Sequence, residues 1–86
     1  MTHQRHQLLI KYTVYSKKNC SYCVRAIALL EAKNMPYEVK KIDEEIDLFK
    51  EMQLNAPSMK TLPVIFKNEE LIGGYHELYK SLQINE

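Results

Sequence analysis

Two cysteines are all this 86-residue chain has, too few for a disulfide framework. Small secreted domains stapled by disulfides normally carry four or more. Cys20 and Cys23 stand only three positions apart, so a bridge between them closes a very short loop and constrains little of the unfolded chain. An excess of charge of one sign is missing as well. Twelve Lys and Arg face eleven Asp and Glu, leaving a net +1. That balance gives no electrostatic pull toward nucleic acid. No long apolar run occurs: the longest, Ala26 to Leu30, is far short of a membrane span. Thr2 to Gln7 is polar and basic, and Leu8 to Ile10 is too short for the apolar core of a signal peptide. The expected setting is therefore the cytosol, with neither membrane nor nucleic acid as partner. Repeats, linkers and low-complexity segments are also absent, so residues 1–86 are expected to form one domain acting as a monomer. His3, Arg5 and His6 fall in residues 1–7, expected to be a frayed terminus.

What is present is a readable alternation of strands and helices. Leu8 to Tyr15 has period two, with Leu8, Ile10, Tyr12 and Val14 on one face and Leu9, Lys11, Thr13 and Tyr15 on the other. Apolar side chains on both faces predict an interior strand. After the polar break Ser16 to Asn19, Cys23, Ile27 and Leu30 recur at helical spacing, supported by Val24, Ala26 and Ala28. Asn34 and Met35-Pro36 supply the stop. Tyr37 to Ile42 reads as a second strand. Asp43 is the expected N-cap of a second helix whose apolar face is Ile46, Phe49 and Met52, with Leu48 nearby. Leu62 to Phe66 reads as a third strand, Lys67 to Glu70 as a turn, and Leu71-Ile72 as the start of a fourth strand broken by Gly73-Gly74. Tyr75, Leu78, Tyr79 and Leu82 give a final helix. The order β-α-β-α-β-β-α predicts an α/β fold: a mixed four-stranded sheet with three helices on its two faces. The first crossover should join parallel strands and the last two strands should form an antiparallel hairpin.

The cysteines sit where this pattern gives them chemistry. Cys20 follows a strand and opens a helix, where free backbone N–H groups and the helix dipole favour negative charge. A thiolate is the nucleophile of disulfide exchange, and such a site can lower a thiol pKa from about 8.5 to about 3.5–7.5. Lys17, Lys18 and Arg25 add positive potential. Cys23, about one helical turn on, is expected to be more buried, which makes Cys20 the attacking thiol and Cys23 the resolving one. The competing reading is half of a zinc site. A structural zinc needs four ligands, and besides the two cysteines only His3, His6 and His76 are soft enough, two of them in the terminal segment.

Three segments carry a resemblance to a known family. Tyr15 to Cys23, ending Cys20-Ser21-Tyr22-Cys23, resembles the C-P-Y-C segment of dithiol glutaredoxins. Thr61-Leu62-Pro63 resembles their T-V-P segment, and Gly73-Gly74-Tyr75-His76-Glu77 their G-G-x-x-D segment. They occur in the family's order, and the likeness spans roughly residues 8 to 83. The resemblance implies a thioredoxin-like fold and a glutathione-dependent thiol–disulfide oxidoreductase. Its clients would be protein disulfides and glutathionylated proteins, ribonucleotide reductase among them by family analogy. It also implies roles. Cys20 attacks and Pro63 is cis. The Leu62 main chain, beside Thr61, pairs with the cysteinyl part of glutathione. Backbone N–H groups at Gly74, Tyr75 and His76 receive the γ-glutamyl carboxylate. Lys17 faces the glycine carboxylate or the Cys20 thiolate, and Tyr22 walls the groove. The sequence departs from the pattern at Ser21, which replaces proline, and at His76 and Glu77. In the family, serine at the Ser21 position accompanies members that share a [2Fe–2S] cluster through the first cysteine and glutathione. Two alternatives therefore stand beside the reductase: a cluster carrier ligating through Cys20, and a redoxin reduced by thioredoxin reductase.

Overall fold

Alternation along Tyr12–Ser16 produces β1, the central strand of the computed structural model, which describes residues 10–83. The 1–7 terminus and the Leu8-Leu9 extension of this strand lie outside the described residues. Tyr12 and Val14 point to one face and Tyr15 to the other, and all three are buried. The interior position expected from two apolar faces is found: β1 pairs in parallel with β2 (Tyr37–Lys41) and antiparallel with β3 (Val64–Lys67). Strand β4 (Glu70–Gly73) completes a sheet of order β2-β1-β3-β4. The hairpin between β3 and β4 turns at Asn68 in the left-handed region (φ 56), which Asn tolerates better than most residues.

The helices are α1 (Ser21–Ala32), α2 (Ile46–Asn55) and α3 (Tyr75–Gln83). Helix α1 ends as Asn34 and Met35-Pro36 predict. Asn34 is left-handed (φ 58), its N–H donates to Glu31 O, and Met35 N–H donates to Leu30 O at 2.9 Å. That pairing satisfies carbonyls the helix end would otherwise leave open. One core joins α1 and α3 to the sheet through Val14, Ala26, Leu30, Ile65, Leu78 and Leu82. Burying a leucine contributes about 1.5–3 kcal/mol, large beside a net stability of about 5–15 kcal/mol. The opposite face holds a second core of Tyr15, Met52, Ala56, Val64 and Phe66, closed by α2.

Four expectations need correction. Asp43 does not cap α2. The N-cap is Glu45, without a side-chain bond, and Asp43 Oδ2 instead accepts from Lys18 N at 3.1 Å, tying the loop before Cys20 to the end of β2. Ile46 is not on the buried face of α2: as the first helical residue it points to solvent, 64% exposed. Val24 and Ala28 are exposed on the outer side of α1. Strand β3 starts at Val64 rather than Leu62, because Pro63 has no N–H to give a ladder.

The second core contains a polar device. The Tyr15 hydroxyl donates to Glu51 Oε2, which also pairs with Lys40 Nζ at 2.5 Å. The Lys40 bond, then the Tyr15 bond, hold the Glu51 carboxyl below its usual range. Burial, then the Glu51 bond, push Tyr15 up to about 12. Its pKa is thus higher folded than unfolded, so its contribution is whole below pH 10 and vanishes as pH rises through about 12. A hydroxyl bonded to a carboxylate is worth about 1.5–3 kcal/mol. Tyr15→Phe should lower urea stability by about that at pH 8, and the gap to wild type should shrink between pH 10 and 12. A gap that stays constant to pH 12 contradicts the assignment.

Candidate active site

Strand β1 ends at Ser16, and a three-residue turn leads to Cys20. Asn19 takes the left-handed conformation (φ 57) and swings the chain so that Cys20 becomes the N-cap of α1. Cys20 is extended (φ −120, ψ 99), as an N-cap residue should be, and its Sγ accepts from Cys23 N at 3.2 Å. A sulfur thus takes the place that a Ser or Asp oxygen usually holds. The same N–H and the dipole behind it favour a thiolate there. Cys23, on the inward face of α1, is 1% exposed, whereas Cys20 is half-buried at the surface. Their sulfurs are joined as a disulfide, with Cα atoms 5.2 Å apart. The expected asymmetry, an accessible first cysteine and a buried second one, is present.

Two clefts meet at this point. The first, about 810 Å³, is lined by Lys17, Cys20, Tyr22, Thr61 and Leu62 among others. The second, about 700 Å³, is lined by Tyr22, Thr61, Leu62, Pro63, Gly74, Tyr75 and His76. They share Tyr22 and the Met59–Leu62 segment, so every singled-out site residue except buried Cys23 borders one continuous groove. The Leu62–Pro63 bond is cis. Tyr22 is 43% exposed, and its ring lies 5.8 Å from Tyr75 and 5.5 Å from His76, with Arg25 Cζ 5.0 Å above it. Lys17 and Lys18 are exposed on the turn. Gln53, Met59 and Lys60 also line the first cleft. Sequence reasoning missed Gln53 and Met59, because nothing local says that α2 and the loop after it come beside Cys20.

The far end of the groove is the start of α3. Gly73 adopts φ +125, a conformation that L side chains rarely adopt, and the turn leads to Gly74 at the helix entrance. Glu77 Oε1 accepts from Gly74 N at 2.9 Å, the reciprocal half of a capping box. The signal was legible as Gly74 followed three residues later by Glu77. The N–H groups of Tyr75 and His76, at the first two helical positions, have no acceptor within the helix.

A family model, Glutaredoxin, matches residues 12–72. The chain belongs to the glutaredoxin family. Glutaredoxin 3 of Escherichia coli K12 is 36% identical over 66 residues, 77% of this chain and 78% of that protein. A probable glutaredoxin of Synechocystis is 32% identical over 69 residues, 80% of this chain and 78% of that one. Among solved structures, a buckwheat glutaredoxin–glutathione complex superposes with a TM-score of 0.76 at 25% identity, covering 95% of this chain and 79% of that one. The glutaredoxin described here accordingly has the thioredoxin-like fold and the redox-active cysteine pair of a thiol–disulfide oxidoreductase.

The Glu77 cap makes the groove's far end sensitive to acid. Its bond to Gly74 N–H, then to its own N–H, holds the carboxyl below the usual range. The pKa is lower folded than unfolded, so the stabilisation is present above the ordinary carboxylate range and fades as pH falls through the lowered value. Glu77→Ala should cost about 1 kcal/mol in urea unfolding at pH 7, typical of a lost cap, and much less at pH 3. An undiminished difference at pH 3 would mean the carboxylate is not the cap.

Proposed function

We propose that this glutaredoxin reduces protein disulfides and protein–glutathione mixed disulfides, using glutathione as the electron donor. The observation that carries this reading is the placement of Cys20 Sγ at the N-cap of α1, half-exposed, on the rim of a groove. The complex of a structural relative with glutathione supports the choice of thiol.

In this reading the Cys20 thiolate attacks a disulfide sulfur of the client. A new S–S bond joins client and Cys20, and the client's other sulfur leaves as a thiolate. Cys23, one turn along α1, attacks Cys20 Sγ, releases the reduced client and forms the Cys20–Cys23 disulfide. One glutathione thiolate attacks Cys20 Sγ and frees Cys23. A second attacks the glutathione sulfur of the Cys20–glutathione disulfide, yields glutathione disulfide and releases Cys20 as a thiolate, so both protein thiols are restored. Two electrons pass from two glutathiones to the client in each cycle. For a client that carries glutathione, Cys20 takes the glutathione directly and Cys23 is dispensable.

Glutathione would lie along the groove as a short added strand beside the Thr61-Leu62-Pro63 segment. Its cysteinyl main chain would pair with Leu62, and Tyr22 would cover it from above. Its γ-glutamyl carboxylate would meet the Tyr75 and His76 N–H groups behind Gly74, and its glycine carboxylate would face Lys17. Because Glu77 already takes the Gly74 N–H, recognition at that end rests on the two remaining donors. We place the reaction in the cytosol, where glutathione is abundant. The alternative is a [2Fe–2S] carrier. A cluster needs four ligands, usually thiolates. Cys20 would supply a single ligand, leaving the rest to glutathione and a second copy.

The roles separate under mutation. Cys20→Ser should abolish turnover in a glutathione-coupled assay, by at least about a hundredfold. Cys23→Ser should retain deglutathionylation of small mixed disulfides. Equal residual activity of the two variants would reject the assignment. Reduction of the wild-type disulfide by thioredoxin reductase but not by glutathione would move the protein to the alternative reductant.

A further inference from the structure

We infer that the cleft between Cys20 and α2 selects protein clients by the residue that follows their reacting cysteine, favouring a large apolar side chain with an acidic neighbour. This rests on the strand-addition reading above, in which the chain leaving the cysteine heads toward Lys17.

The cleft has a volume of about 810 Å³. The residue after cysteine in glutathione is glycine, which has no side chain to lower into it. The floor is nonetheless apolar. Ile42 comes from the end of β2, Phe49 and Met52 from α2, and Met59 from the loop before Thr61. Met52 is buried, and the other three are half-buried with apolar surface facing the cleft. Two thioethers adapt to side chains of different shape, so the floor suits leucine, methionine or phenylalanine alike. The charges of the lining have one sign. Among the described residues, Lys17 and Lys60 border the cleft and no Asp or Glu does. The cleft on the other side of the groove shares Lys60 but also carries Glu77, and Lys17 lines only the α2 side. A client with an acidic residue after its apolar one therefore meets complementary charge on the α2 side, and a lysine there meets repulsion.

Glutathione and such a client would use the same Cys20 and Leu62 backbone but differ in this cleft. The exchange itself is unchanged. Cys20 attacks the client's cysteinyl sulfur, that sulfur's former partner leaves as a thiolate, and Cys23 then displaces the client as a thiol. The two electrons come from the protein dithiol.

The test omits glutathione, so it stands whether or not glutathione is the reductant. Fully reduced protein is mixed in single turnover with peptides whose cysteine carries a thionitrobenzoate leaving group. Gly-Cys-Leu-Glu should react at least about tenfold faster than Gly-Cys-Gly-Lys, the scale expected for burying one apolar side chain. Leu-Cys-Gly-Lys, with the leucine before the cysteine, should show no such gain. The charge part of the preference should weaken as salt rises. Met59→Ala should reduce the leucine preference and Lys60→Glu the glutamate preference, each by several-fold. Each effect is read as the ratio of two peptide rates within one variant, which a general change in thiol reactivity would leave untouched. Peptide rates within twofold of one another, or an equal gain from leucine on either side of the cysteine, would overturn the inference. A retained preference with no turnover on glutathione would overturn only the choice of electron donor.

Discussion

The N–H of Cys23 pointing at the sulfur of Cys20 is the contact on which the rest of this molecule's chemistry depends. It exists because Cys20 is the N-cap of α1, and an N-cap side chain is placed to accept from the third helical residue. Three features upstream make that position. Strand β1 is fixed in the middle of the sheet by partners on both sides. Asn19 in the left-handed region reverses the chain within one residue. Asp43 holds the Lys18 amide, so the turn is tied to the end of β2. The two cores then clamp the strand from above and below, so the sulfur stands at the end of a rigid element.

One helical turn separates a surface sulfur from a buried one, and that gives the pair its direction. Cys20 meets the solvent and the groove, while Cys23 is buried one turn along α1. Around them the groove is divided by charge and shape. The α3 end has aromatic rings, a helix start with open N–H groups and the Glu77 cap. The α2 end has an apolar floor and two lysines. A ligand lying across Thr61-Leu62-Pro63 reads both ends at once.

Much of this was legible in the sequence, for definite reasons. The period-two run around Tyr12 and Val14, the 3.6-period run from Cys23 to Leu30, and the stop at Asn34 each reflect burial or capping that the backbone obeys locally. Misses came where tertiary contacts decide. Asp43 has the right side chain for a cap, but Lys18 N–H claims it from another element. Ile46 fits the apolar spacing of α2, yet the helix begins at that residue and turns it outward. At the site, Cys20 and Cys23 were legible from their place between a strand and a helix, whereas the roles of the Thr61-Leu62-Pro63 and Gly73-Gly74 segments came only from their resemblance to glutaredoxin segments. Gln53 and Met59 were not legible, since only the packing of α2 against the second core brings them beside Cys20.

The central claim is that the helix tip holds Cys20 as a thiolate near neutral pH. The most direct measurement is the rate of alkylation of the reduced Cys23→Ser protein by iodoacetamide as a function of pH. The midpoint should lie well below the ordinary thiol value of about 8.5. A midpoint at about 8.5 or above would show that the Cys23 N–H and the α1 dipole do not stabilise the charge, and the mechanism built on them would fall.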